Sequence, residues 1–185
     1  MRGRRHRLSL LALLLALSLS PVAGLAAAAP CTMPRKPVGL PSASVVRVVD
    51  GDTIVVHAEG RTVRVRMIGI DTPEVHASDK LRRDAQRSGQ DAAIIQRLGA
   101  KASAFTRKYL SGRRVELERD TTALDRYGRT LAYVWVGEEL YNIVVVRDGY
   151  ASLLTIPPNV RYADALAACY RSAREFRRGL WALSE

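Results

Sequence analysis

The stretch SVVRVVDGDTIVVHAEGRTVRVRMIGID, residues 44–71, is dense in Val and Ile and is cut by turn signals at Asp50-Gly51 and Glu59-Gly60. Short β-branched runs between such punctuation predict three successive antiparallel strands, a meander. The period then changes. Ile94, Leu98, Ala102, Phe105 and Tyr109 step by four, four, three and four, which predicts one face of a helix. The Ser88-x-x-Asp91 spacing marks its start, and Gly99 weakens its middle. The long polar connection from His76 to Arg87 reads as a mobile loop.

RRVELER (113–119) and RTLAYVWV (129–136) predict two further strands. LYNIVVVRDG (140–149) stays open between strand, by its Val run, and helix, by the stop at Gly149. RYADALAACYRSAREFRRGLW (161–181) has the period of an amphipathic helix ending near Gly179. Five strands, with one helix between the third and fourth and helices after the fifth, predict an α+β chain built as a small closed barrel with helices at one end.

The first thirty residues stand outside that pattern. A basic start (MRGRRHR), an apolar run (residues 8–19) and the small-residue stretch PVAGLAAAAP have the layout of a secretory signal peptide. The expected localisation is secreted, the alternative being attachment by an uncleaved N-terminal segment. Residues 31–43 are Pro-rich and read as a flexible lead-in, and residues 44–185 as the folded domain.

Charge changes the picture modestly. The net charge is +11, and removing residues 1–30 takes away four arginines and no acids, leaving a basic domain. Such a balance attracts polyanions, nucleic acid first and an anionic cell surface second. With only four lysines, at 36, 80, 101 and 108, the Arg-rich composition that follows a GC-rich genome accounts for part of the excess. The two cysteines, Cys31 and Cys169, form no C-x-x-C or His/Cys cluster, which argues against zinc. In an oxidising compartment they either pair, tying the N-terminal segment to the C-terminal helix, or stay free.

Candidate chemistry lies at strand ends. Asp52 follows a Gly turn and Asp71 closes the third strand, so neighbouring strands can bring two carboxylates together as a hard-oxygen site suited to Ca²⁺. Taken alone, Asp50-Gly51-Asp52 reads as a plain hairpin turn before it reads as a metal site. Arg64 and Arg66 share a strand face, but Arg66 and Asp71 are an odd number apart and would face opposite ways on a regular strand. A bulge or bend at Gly69 would bring them together.

The blocks VVDGDTIVV, VRMIGIDTPE, ASAFTRKYL, LDRYGRTLAYV, NIVVVRDGYA and the closing GLW stand in the order seen in the thermonuclease family, the staphylococcal-type calcium-dependent nucleases, which residues 44–181 resemble. The resemblance implies a five-stranded OB-fold β-barrel with three α-helices, and turns 140–148 toward helix. It implies Ca²⁺ held by Asp52, Asp71 and the main-chain carbonyl of Thr72. It implies Arg66 and Arg129 on the scissile phosphate, Glu74 on the attacking water and Tyr127 on the substrate. The implied reaction is hydrolysis of DNA and RNA, preferentially single-stranded or frayed, leaving 3′-phosphate ends, by a monomer.

The chain also departs from the pattern. Thr155 and Pro157 fall near positions where the family's best-known member has tyrosines, and Tyr162 is a candidate substitute. The segment from Val75 to Leu98 is longer, as a lid or only as a loop. The rival reading from another class is a non-catalytic barrel binding single-stranded nucleic acid. It could lose any of Asp52, Arg66, Asp71, Glu74 or Arg129, and this chain keeps all five. A surface adhesin using basic charge would not need the D-T-P-E block.

Overall fold

A computed structural model describes residues 29–183. The signal-like stretch therefore falls almost wholly outside the described residues. The meander is present as β1 (Ser42–Val48), β2 (Thr53–Ala58) and β3 (Arg61–Met67), paired antiparallel in sequence. A short β4 (Gly69–Asp71) follows after a break at Ile68. Two helices come next, α1 (Asp79–Ser88) and α2 (Ala92–Leu110). They lead into β5 (Arg114–Glu118), β6 (Thr130–Val136) and the two-residue β7 (Glu139–Leu140). Then come α3 (Tyr141–Arg147), β8 (Ser152–Leu154), α4 (Ala163–Glu175) and a 3₁₀ turn over Gly179–Leu183.

The strand order β3-β2-β1-β5-β6 closes on itself because the first half of β6 also pairs in parallel with β3. Five strands thus make the barrel expected of an OB fold. Its interior holds Ile54, Val56, Val65, Met67, Ala132 and Val134, and α3 packs Ile143 to Val146 beside β6, all of these residues close to fully buried. The ambiguous LYNIVVVRDG is a helix because it sits inside the molecule. Every residue from Tyr141 to Val146 is buried, so its Val run reflects burial all round, not pleating.

Four readings need correction. The connection from His76 to Arg87 is not a loop but α1, capped by Ser78, whose hydroxyl accepts the Leu81 N–H at 3.1 Å, and closed by Gly89 at φ 70°. One buried apolar residue, Leu81, anchors it, too few to leave a period in the sequence. Among the described residues four α-helices therefore stand where three were expected. Second, Ser88 ends α1, and Asp91 alone caps α2 by accepting the Ala93 N–H at 2.6 Å.

Third, α2 does not bury the face the spacing suggested. Ile95, Gly99, Ala102, Ser103, Thr106 and Leu110 are buried, while Ile94 is exposed and Phe105 and Tyr109 flank the face half-buried. The face is turned by about one residue because Gly99 must point inward (below). Fourth, residues 31–43 are tied down. Cys31 is bonded to Cys169 of α4, the Met33 sulfur accepts the Leu140 N–H at 3.2 Å, and Lys36 pairs with Glu116 at 2.7 Å. The last helix also ends at Glu175, and the chain folds back so that Leu180 N–H bonds to the Gly149 carbonyl at 2.9 Å.

Candidate active site

β3 stops at Met67, Gly69 takes φ 80°, and the chain restarts as β4 in a different sheet, paired with β8. The positive φ is accessible to glycine at little steric cost. A side chain there would also strike Leu166, since a Cβ would lie 2.5 Å from its Cδ1. The bend is pinned from below by Asn142 of α3. Its amide donates to the Ile68 carbonyl at 2.8 Å and accepts the Val134 N–H at 3.0 Å, fully buried. The bend places Arg66 and Asp71 on the same side. Arg66 Nη2 meets Asp71 Oδ1 at 3.0 Å, and Nη1 meets Asp52 Oδ2 at 2.9 Å and the Ile70 carbonyl at 3.0 Å. Arg66 is 9% exposed, so these acceptors replace the water it has lost.

The turn before β2 is not a plain hairpin. Asp52 is 5% exposed, and its Oδ2 accepts both the Thr72 N–H at 2.9 Å and the Thr72 hydroxyl at 3.2 Å. Gly51 lies against Thr72 so closely that a Cβ would be 2.6 Å from the Thr72 methyl. Thr106 of α2, fully buried, donates to the Gly51 carbonyl at 2.8 Å and accepts from Tyr141 Oη at 2.9 Å. Beside this group, burial and the neighbouring Asp52 carboxylate push the Asp50 carboxyl up to about 6.

Arg129 enters from the loop before β6. Asp125 holds it twice, taking its backbone N–H at 2.9 Å and its Nε at 2.7 Å, while also accepting the Tyr127 N–H at 2.9 Å. Desolvation opposes ionisation of Asp125, but these bonds from Arg129 and Tyr127 hold its carboxyl below the ordinary value. Tyr127 is 68% exposed, with the Arg126 and Arg129 guanidiniums 4.7 and 5.6 Å from its ring centre.

Glu74 lies on the loop after β4, where its Oε1 accepts the Val75 and His76 N–H groups at 3.0 and 3.2 Å. The loop rests on α2. A Cβ at Gly99 would stand 2.6 Å from the Pro73 carbonyl oxygen and 2.7 Å from that of Glu74, so only glycine admits this approach. Gly99, Asn142, Thr106 and Asp125 are the positioning residues that sequence reasoning missed. Gly99 alone carried a signal, as a glycine inside a helical period.

All seven predicted site residues, Asp52, Arg66, Asp71, Thr72, Glu74, Tyr127 and Arg129, line one open cleft of about 990 Å³. One wall is aliphatic. Leu154 and Ile156 face the cleft with Leu124, Pro157 and Pro158, whereas Thr155 does not line it. Tyr162 is not a substitute for the expected tyrosines. It donates to Glu118 Oε2 at 2.9 Å and packs edge-on against Tyr133 and Trp135, away from the cleft.

Residues 64–183 match the family model described as staphylococcal nuclease homologue. The chain belongs to the staphylococcal nuclease family. It is 36% identical to the thermonuclease of Staphylococcus hyicus over 80% of this chain and 83% of that protein. It is 38% identical to the thermonuclease of Staphylococcus intermedius over 74% of each. Endonuclease YncB of Bacillus subtilis is 28% identical over 75% of this chain and 60% of its own length. Membership makes the chain a nuclease, a hydrolase of phosphodiester bonds. The cleft of this nuclease gathers carboxylates and guanidiniums on one surface.

Proposed function

We propose that this nuclease cuts DNA and RNA with the help of Ca²⁺ and leaves 3′-phosphate ends. The observation that carries the reading is Arg66 spanning Asp52 and Asp71 at 2.9 and 3.0 Å in the cleft that also holds Glu74 and Arg129. Among the described residues no group of three or more His, Cys, Asp and Glu makes a ready chelate. The donor set nevertheless fits a weakly held hard cation. It has two carboxylates in contact with one guanidinium, and an adjacent Asp50 whose raised pKa reflects negative charge crowded into a partly desolvated place. Asp52, Asp71 and the Thr72 carbonyl would hold the ion, with water completing its shell. Bound there, Ca²⁺ supplies Lewis-acid stabilisation of charge on the phosphoryl oxygens.

The rest of the mechanism belongs to the chain. Arg129, aimed by Asp125, and Arg66 present planar forks that bind two phosphate oxygens each and stay charged at any working pH. Donors fixed before substrate arrives need no reorganisation as charge develops. Glu74 orients and polarises the attacking water. Its Oε1 is already fixed by two backbone N–H groups, so positioning is its larger share. Tyr127 offers an exposed ring to a base. Only an unstacked base can use it, which favours single-stranded or frayed substrate.

Export of a monomer fits the signal-like N terminus, and the Cys31–Cys169 bond suits an oxidising compartment. The alternative is attachment through an uncleaved N-terminal segment. Purified protein incubated with denatured DNA in Ca²⁺ or in chelator tests the reading. Cleavage only with Ca²⁺, and products that a 3′-phosphatase makes extendable by a polymerase, are expected. Intact DNA in both tubes would favour the non-catalytic binding module.

A further inference from the structure

Several arginines around the barrel are engaged by acids. Arg66, Arg82, Arg129, Arg147 and Arg161 each meet an acid. Three cleft-lining arginines meet no acid, and of these Arg126 is held on Tyr127 by a hydrogen bond and by its ring. Arg64 of β3 and Arg83 of α1 both border the cleft, both are exposed, and neither has an ion pair or hydrogen bond among the described residues.

We propose that Arg64 and Arg83 form a second phosphate subsite, which grips the backbone of a single-stranded nucleic acid at least one nucleotide from the phosphate that is cut. The proposal rests on the nuclease reading for the identity of its ligand. Three features support it.

The two side chains come from elements far apart in sequence, yet line one surface with the catalytic group. Arg64 stands two residues from Arg66 on the same strand and hence on the same general side, but it is exposed where Arg66 is buried. It therefore faces a strand outside the reacting centre. Arg83 rides on the helix that the sequence concealed, fixed by its Ser78 cap, its buried Leu81 and its packing on α2. Three of the five cleft-lining acids are already answered, and Asp50 and Glu74 meet no cation among the described residues. Asp52 and Asp71 face Arg66, and Asp125 faces Arg129. Two guanidiniums at the rim then stand open to an anion, and a polymer with one phosphate per nucleotide is the anion that reaches the centre and the rim at once.

Exposed, unpaired arginines contribute little to folding, so Arg64→Gln/Arg83→Gln should melt like the parent. The paired control, Arg47→Gln/Arg171→Gln, removes the same charge from exposed positions that do not line the cleft. Binding of a fluorescein-labelled 12-mer of oligodeoxythymidylate is measured in chelator, where nothing is cut, over a range of KCl. The plot of log affinity against log salt should be shallower by about 0.7 in the Arg64/Arg83 variant, the share of the one single-strand phosphate no longer neutralised. Affinity should fall about tenfold at low salt.

With Ca²⁺ present, KM should rise and kcat stay within about twofold, since the weakened binding is remote from the reacting phosphate. A salt slope and affinity equal to the control's would overturn the subsite. So would a kcat loss at constant KM, which would put these arginines on the scissile phosphate. Protein that binds the 12-mer but never cuts it would overturn the nuclease reading alone, leaving the subsite to be decided by the slope.

Discussion

A buried guanidinium needs acceptors for its donors, and Arg66 finds them on Asp52, Asp71 and the Ile70 carbonyl. The letters D-G-D-T, D-T-P-E and Y-G-R made these residues visible because each motif names side chains that line the cleft. The residues that aim them carry no such signature. Asp125 looked like one more loop acid, yet it holds Arg129 by two bonds and Tyr127 by a third. Asp125→Asn should lower kcat/KM about tenfold, less than the 10²-fold or more expected of Arg129→Ala, because the guanidinium remains but is no longer fixed. Steady-state kinetics on single-stranded DNA would decide, and an unchanged kcat/KM would remove Asp125 from the mechanism. Gly99 gives the sharper case. Gly99→Ala adds helix propensity but drives a Cβ into the Pro73 and Glu74 carbonyls. It should destabilise by about 1–3 kcal/mol through overpacking, and should lower kcat more than it raises KM. A more stable Gly99→Ala protein with full activity would mean that the Glu74 loop has no need of this close approach.

Among the elements, the strand meander was legible because period two and Asp-Gly and Glu-Gly turns are local signals. The break between β3 and β4 was legible only as a parity argument, from the odd spacing of Arg66 and Asp71 with a glycine between them. What holds the break lies seventy-four residues away, in the hydrogen bond between Ile68 and Asn142, and no local pattern reports it. Asn142→Ala would leave the Ile68 carbonyl and the Val134 N–H buried without their partner. That should cost about 2–4 kcal/mol of unfolding free energy, measured by urea titration, and activity should fall with it as the bend relaxes. A loss below about 0.5 kcal/mol would show that the bend is held by Gly69 and the Arg66 contacts alone. Helix α1 escaped sequence reading for the opposite reason. Its signals are wholly local, a cap at Ser78 and a stop at Gly89, but with one buried leucine it has no period to announce it.

At the scale of the molecule, the barrel carries the cleft on one side and is laced by the Cys31–Cys169 bond, which joins the N-terminal segment to α4 across 138 residues. Sequence alone left that pairing open, because two cysteines far apart say nothing of distance until the barrel places them. A cross-link closing so long a loop should contribute about 3–5 kcal/mol in the chain-entropy account. Dithiothreitol should therefore shift the urea midpoint down by that equivalent, while activity of the folded protein persists, since neither cysteine lines the cleft. Equal midpoints with and without reductant would show that the lead-in segment is held by Lys36, Met33 and packing instead.

The central claim is that Arg66 and Arg129 act on one phosphate beside one pair of aspartates. A double-mutant cycle on single-turnover cleavage of a saturating single-stranded oligonucleotide in Ca²⁺ tests it most directly. Arg66→Ala and Arg129→Ala should each slow the reaction about 10²-fold or more, and the double variant should fall well short of the product of the two, as expected for groups sharing a transition state. A double variant whose loss equals that product, or either single variant within about twofold of the parent, would contradict the account.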